Sequence, residues 1–120
     1  MRMFWKLSER VLNELGDRIQ SIVVYGSIAR GEATKDSDID VLVVSRDKKD
    51  EEKVSDVSYE VDFENDFETF IMPIHLTGDE FEHRVKIGSP FIFEILKEGV
   101  VLYDDGTFQR IREKMFRGSG

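Results

Sequence analysis

Leu7, Val11, Leu12, Leu15 and Ile19 recur mostly three or four positions apart, the spacing that lines one face of an α-helix. They predict an amphipathic helix over residues 5–19, with Asp17 and Arg18 on its polar side. The period then changes. Ser21-Ile22-Val23-Val24-Tyr25 is short, apolar and β-branched, which predicts a buried strand ended by Gly26. A helical turn is expected across residues 27–31, stopped by Gly31. Ile39 to Val44 is apolar on both faces beyond Asp40, the pattern of a central strand.

Beyond a charge-dense connection, Val54, Val57 and Val61 mark one face of a helix that should end near Asn65-Asp66. Residues 69–76 alternate well enough for a third strand, and Pro73 inside it argues for an edge position or a bulge. Thr77-Gly78-Asp79-Glu80 has the form of a capping box, opening a helix towards Ile87. Ser89-Pro90 opens another, which Gly99 stops. A short strand over 100–103 and a helix over 108–116 complete the chain. The order α-β-α-β-α-β-α-α-β-α implies an α/β (α+β) fold, a small mixed sheet of three main strands flanked by helices.

Length changes the picture little: 120 residues suit one domain, residues 1–120, without internal repeats or a linker. Charge changes it more. A formal net charge of −8 is the wrong balance for gripping long nucleic acid, which needs cations to displace counterions. The basic residues Arg110, Arg112, Lys114 and Arg117 read as a solvated helix end. No apolar run approaches the roughly 20 residues of a membrane span, and the first residues lack the pattern of a signal peptide. That missing signal, with which the absence of cysteine is compatible, makes the cytoplasm the expected location.

The chemistry concentrates between Tyr25 and Asp40. Gly26 lacks a Cβ, so a phosphate can approach its main chain, and Ser27 opens a helical turn whose N–H groups favour anions. Asp38 and Asp40 are two apart on a strand, hence on one face and about 6.6 Å apart along it. Such carboxylates can share a metal ion or hold a pair about 3.5–4 Å apart. Alone, each half has a structural explanation: an ordinary turn, or an exposed acidic strand start. Residues 36–40 also open like a calcium loop, but Val41 and Asp47 stand where its glycine and glutamate belong.

Together, Gly26-Ser27, Ala29-Arg30-Gly31, Ser37-Asp38-Ile39-Asp40 and the following Val/Leu strand resemble the signature of the DNA polymerase beta nucleotidyltransferase superfamily. The nearest likeness is to its small prokaryotic members, the minimal nucleotidyltransferases. The resemblance implies that Gly26 and Ser27 hold the β/γ-phosphates of a nucleoside triphosphate, with ATP expected. It implies that Asp38 and Asp40 bind two Mg²⁺ ions, and that a nucleoside monophosphate passes to an acceptor hydroxyl. Arg30 is a candidate contact to the triphosphate, with pairing to Glu32 as the alternative. Minimal members resemble antitoxins paired with a helical HEPN-domain toxin, so such a partner, or a homodimer, is expected to complete the site.

The family carries a third carboxylate on the strand after the next helix. No acid occupies the middle of residues 69–76; Glu68 at the strand's start is the candidate, and Asp62 the alternative if the helix ends early. Two readings follow: an active nucleotidyltransferase, or a nucleotide-binding module that neutralises a partner by binding. With only His75 and His83 and no cysteine, zinc is not expected. Phe91, Phe93 and Phe108 read as core, as do Phe63, Phe67 and Phe70, for which an exposed edge facing a partner is the alternative.

Overall fold

The first helix stops earlier than its apolar period suggests, and a glycine is the reason. In the computed structural model α1 spans Arg2–Leu15; Gly16 then adopts a left-handed φ of 55° and starts one 3-10 turn, Gly16–Arg18. Ile19 opens the strand β1 (Ile19–Tyr25) and reaches the core from there. The structure describes residues 2–32 and 38–117, with side chains from residue 4 onward; Ser37 of the sequence motif lies outside them.

The remaining elements are β2 (Asp38–Ser45), α2 (Asp50–Glu64), β3 (Phe70–Thr77), α3 (Gly78–Lys86), α4 (Pro90–Glu98), β4 (Val100–Asp104) and α5 (Thr107–Arg117). The strands form a mixed sheet in the order β3-β2-β1-β4, so the short last strand adds a fourth member beside the three main ones. β2 is central, as its two-sided apolar run requires. It runs antiparallel to β1 and parallel to β3, while β4 is antiparallel to β1. Pro73 sits in edge strand β3, where a missing N–H is tolerated.

Alternation along the strands divides the core in two. On one face Ile22, Val24, Ile39, Val41, Val43 and Ile71 pack with Leu7 and Val11 of α1 and Val54, Val57 and Val61 of α2. On the other, Val23, Leu42, Val44 and Leu76 pack with Phe81, Ile92, Ile95, Leu96, Phe108 and Ile111 of α3, α4 and α5. Each such side chain contributes about 1.5–3 kcal/mol by leaving water. The predicted caps form: Thr77 and Glu80 exchange hydrogen bonds at 3.1 and 2.9 Å, and Ser89 accepts from the Ile92 amide at 3.4 Å. Among the described residues no helix is long and apolar enough to cross a membrane.

Three expectations fail, in whole or in part. Phe108 is core and stacks on Phe81, but Phe91 and Phe93 are exposed because Ile92, Ile95 and Leu96 take the core face of α4. Phe63, Phe67 and Phe70 are exposed too; Val54, Val57 and Val61 already fill the buried stripe of α2. The C-terminal arginines are also not uniformly solvated. Arg112 lies over the Phe108 ring and donates to the Leu96 and Gly99 carbonyls at 2.9 and 2.8 Å, satisfying the end of α4.

Candidate functional site

The turn after β1 and the start of β2 meet at one end of the sheet. Tyr25 pairs with Asp40 across the antiparallel ladder, which brings Gly26 beside the Asp40 carboxylate. Gly26 has a φ of 78°, and a Cβ there would collide with Asp40 Oδ2. Glycine is therefore required twice, for conformation and for space. The expected helical turn forms as a set of hydrogen-bonded turns: the Arg30 amide donates to the Gly26 carbonyl at 3.2 Å and the Glu32 amide to Ser27 at 2.9 Å. Ile28 anchors it on the α1/α2 core, and Gly31 ends it at a φ of 73°.

Asp38 and Asp40 share a sheet face with Leu42 and Val44, as the strand period dictates, but lie beyond the end of that core. Asp38 is exposed and Asp40 partly buried. Burial first, and then repulsion from Asp38, raises the Asp40 pKa above the usual carboxylate range, against a smaller opposing pull from Arg30. Tyr25, missed in the sequence, is pushed up to about 12 by burial and by Asp40, and its ring sits edge-on to Phe91 at 5.5 Å. Arg30 does pair with Glu32, at 3.2 Å, and also with Glu98 at 3.5 Å.

The parallel register sets Phe70 level with Asp38 and Met72 level with Asp40. The two positions of β3 that face alongside the acids thus carry apolar side chains. Glu68 lies in the exposed turn before β3, its amide bonded to the Asn65 carbonyl at 3.2 Å. Asp62 is not available, because α2 runs on to Glu64. Its buried carboxylate accepts the Ile71 amide at 3.0 and 3.3 Å, and burial raises its pKa against that bond. His75 points to neither site nor solvent; it is buried, with Nε2 2.7 Å from Ser45 Oγ. Among the described residues no group of three or more His, Cys, Asp or Glu is placed to hold a metal ion.

A family model described as the nucleotidyltransferase domain matches residues 6–118, so the chain belongs to that family. Its structural neighbours include chains of toxin–antitoxin complexes, one of them an MNT antitoxin with a HEPN toxin. A chain of a toxin–antitoxin complex with AMP-PNP superposes with a TM-score of 0.63 at 14% identity, covering 95% of this chain and 85% of that one. A chain of the MntA–HepT complex gives 0.55 at 14%, covering 99% and 89%. A chain of the Shewanella oneidensis complex of MNT antitoxin with tri-AMPylated HEPN toxin gives 0.56 at 14%, covering 98% and 87%. At such identities these neighbours speak for the fold. No curated protein matches the sequence.

Proposed function

We propose that the chain transfers a nucleoside monophosphate, AMP from ATP, to a hydroxyl on a helical HEPN-type protein partner: the hydroxyl oxygen bonds to the α-phosphorus, the bond from that phosphorus to the bridging oxygen breaks, and pyrophosphate and the hydroxyl proton leave. The observation that carries this reading is the placement of Asp38 and Asp40 on one sheet face beside the Gly26 turn. The solved complex with AMP-PNP and the complex with an AMPylated toxin support it by likeness of fold.

The residues present fit Mg²⁺. A carboxylate whose charge is disfavoured by burial and a like neighbour gains most from a cation, and Mg²⁺ is ordinarily held by one or two carboxylates with phosphate oxygens and water completing the shell. Asp38 and Asp40 would hold it. Bound there, Mg²⁺ would supply charge neutralisation at the phosphates and activate the acceptor oxygen. Gly26 would let the β/γ-phosphates reach the main chain, and the Ser27 hydroxyl would donate to them. Arg30, on the same turn, would exchange its exposed Glu32 and Glu98 contacts for phosphate oxygens. Glu68 is the third acid of this proposal.

The test pairs titration of ATP and Mg²⁺ with a labelled-ATP transfer assay on a HEPN-type partner. Asp38→Asn/Asp40→Asn is expected to lower transfer at least about 100-fold. Transfer unaffected by the double substitution would sink the site. The second reading, binding without turnover, draws on Phe70 and Met72 standing level with the acids. If it holds, Met72→Asp, which installs a carboxylate level with Asp40, raises transfer above wild type, and Glu68→Gln changes nothing.

A further inference from the structure

A group of exposed aromatic side chains has no part in nucleotide chemistry, yet it runs up to the acids. Tyr59 and Phe63, one helical turn apart on α2, are each 62% exposed; Phe70 and Met72 on β3 are 53% and 50% exposed. Phe67 joins the two groups. Its ring lies 5.6 Å from Tyr59, 6.0 Å from Phe63 and 6.4 Å from Phe70. At about 200 Å² per side chain, these fractions expose roughly 500 Å² of contiguous aromatic and thioether surface, more than half of one side of a standard interface.

The backbone presents this surface at a cost. Asp66 and Phe67 both adopt left-handed φ angles, 55° and 54°, where glycine is the usual residue. The Phe67 amide closes back onto the Asp62 carbonyl at 2.9 Å, and the Asp62 carboxylate holds the Ile71 amide. This fixed turn turns the Phe67 ring outward, and strain of this kind is kept where surroundings over-determine it, commonly at binding sites.

Charge decides what can cover it. From residue 50 to residue 68 the chain carries nine carboxylates and one cation, Lys53; Asp50 and Asp62 are buried, Glu51 pairs with Lys48 and Glu64 with Lys6 and Arg10, and the others leave the segment acidic. Lys53 is already paired with Glu14, and Glu60, Asp66 and Glu68 are exposed around the rings. A second copy pairing through the same face would oppose acid to acid. We infer that the Tyr59–Phe63–Phe67–Phe70 surface docks a protein whose apolar face is ringed by lysine and arginine, and that this is how an acceptor hydroxyl is brought to Asp38 and Asp40. Phe70 and Met72 are register partners of the two acids, so a protein seated there lies one strand spacing, about 4.8 Å, from the site. The inference rests on the transferase reading for its purpose, but its binding step stands apart.

The probe is an 18-residue helical Leu/Lys peptide carrying one tyrosine, with a Leu/Glu peptide of the same pattern and a Lys/Ser peptide as controls. Binding to the full chain is read by titration calorimetry, with ATP and Mg²⁺ titrated in parallel. The Leu/Lys peptide should bind, and Tyr59→Ser/Phe63→Ser should weaken it at least about tenfold at unchanged charge. Phe67→Asn, which suits the left-handed backbone, should weaken it as well. Both variants should keep the wild-type melting curve and nucleotide affinity. Equal binding by wild type and variants, or binding of the Lys/Ser or Leu/Glu peptide as tight as Leu/Lys, overturns the docking surface. So does a wild-type dimer in light scattering that the double substitution dissolves, since a second copy would then be the occupant. Peptide binding with no response to ATP and Mg²⁺ would instead overturn the transferase reading and leave the surface standing.

Discussion

At the scale of single residues, Gly26 carries more than any acid taken alone. Its left-handed φ strains every other L-residue, and its bare Cα leaves room for the Asp40 carboxylate. Gly26→Ala is expected to cost about 1–3 kcal/mol in stability. By displacing Asp40 it should also lower transfer by up to about 100-fold, more than the melting curve alone would suggest. Denaturant titration beside the transfer assay separates the two effects. The residues of this turn are legible in the sequence because glycine and paired aspartates have few other uses together. Tyr25 and Met72 are not, since their roles come from ladder register, which no local pattern encodes.

At the scale of elements, β3 is the most informative strand. Its Pro73 announces an edge in the sequence, and its parallel register then rules on the acids. The far end of the same strand holds His75 on the α1/α2 side. Its Nε2 lies 2.7 Å from the Ser45 hydroxyl, which also reaches the Asp47 carbonyl at 3.1 Å, while Nδ1 is buried without a hydrogen bond, 3.9 Å from the Glu51 carboxylate. Burial lowers the His75 pKa below 6.5; Glu51, Asp50 and Glu80 pull upward, and Lys48 opposes them. The unfolded chain therefore binds this proton first. Stability is full above about pH 6.5 and falls as pH drops through that value towards the depressed native one. Thermal melts from pH 7.5 to 5.5 should show the decline, and His75→Gln should flatten it. Asp40 and Asp62, both raised, act in the opposite sense at lower pH, where the folded state binds protons first.

At the scale of the molecule, helices and strands are legible because periodicity, caps and glycine stops agree over most of the chain. The limits of that reading are equally physical. Helix α1 and the 3-10 turn share one apolar period across Gly16, so the pattern runs past the true end at Leu15. Composition likewise does not tell a buried phenylalanine from an exposed one. Phe81 and Phe108 fill the core while Phe63, Phe67 and Phe70 stay outside, because the valine stripe of α2 leaves them no room. The sheet separates its two tasks by end: a carboxylate pair where β2 begins, and the Ser45–His75 pair where it finishes.

Pro73 has a consequence in the crowded cell. An edge strand carrying exposed Phe70 and Met72 is a template on which foreign strands could grow into a cross-β stack. Proline removes one donor from that edge, and the acids near it repel an incoming copy. Pro73→Val should leave the fold intact yet shorten the lag before thioflavin-positive aggregates form at elevated temperature. An unchanged lag would mean that charge alone guards the edge.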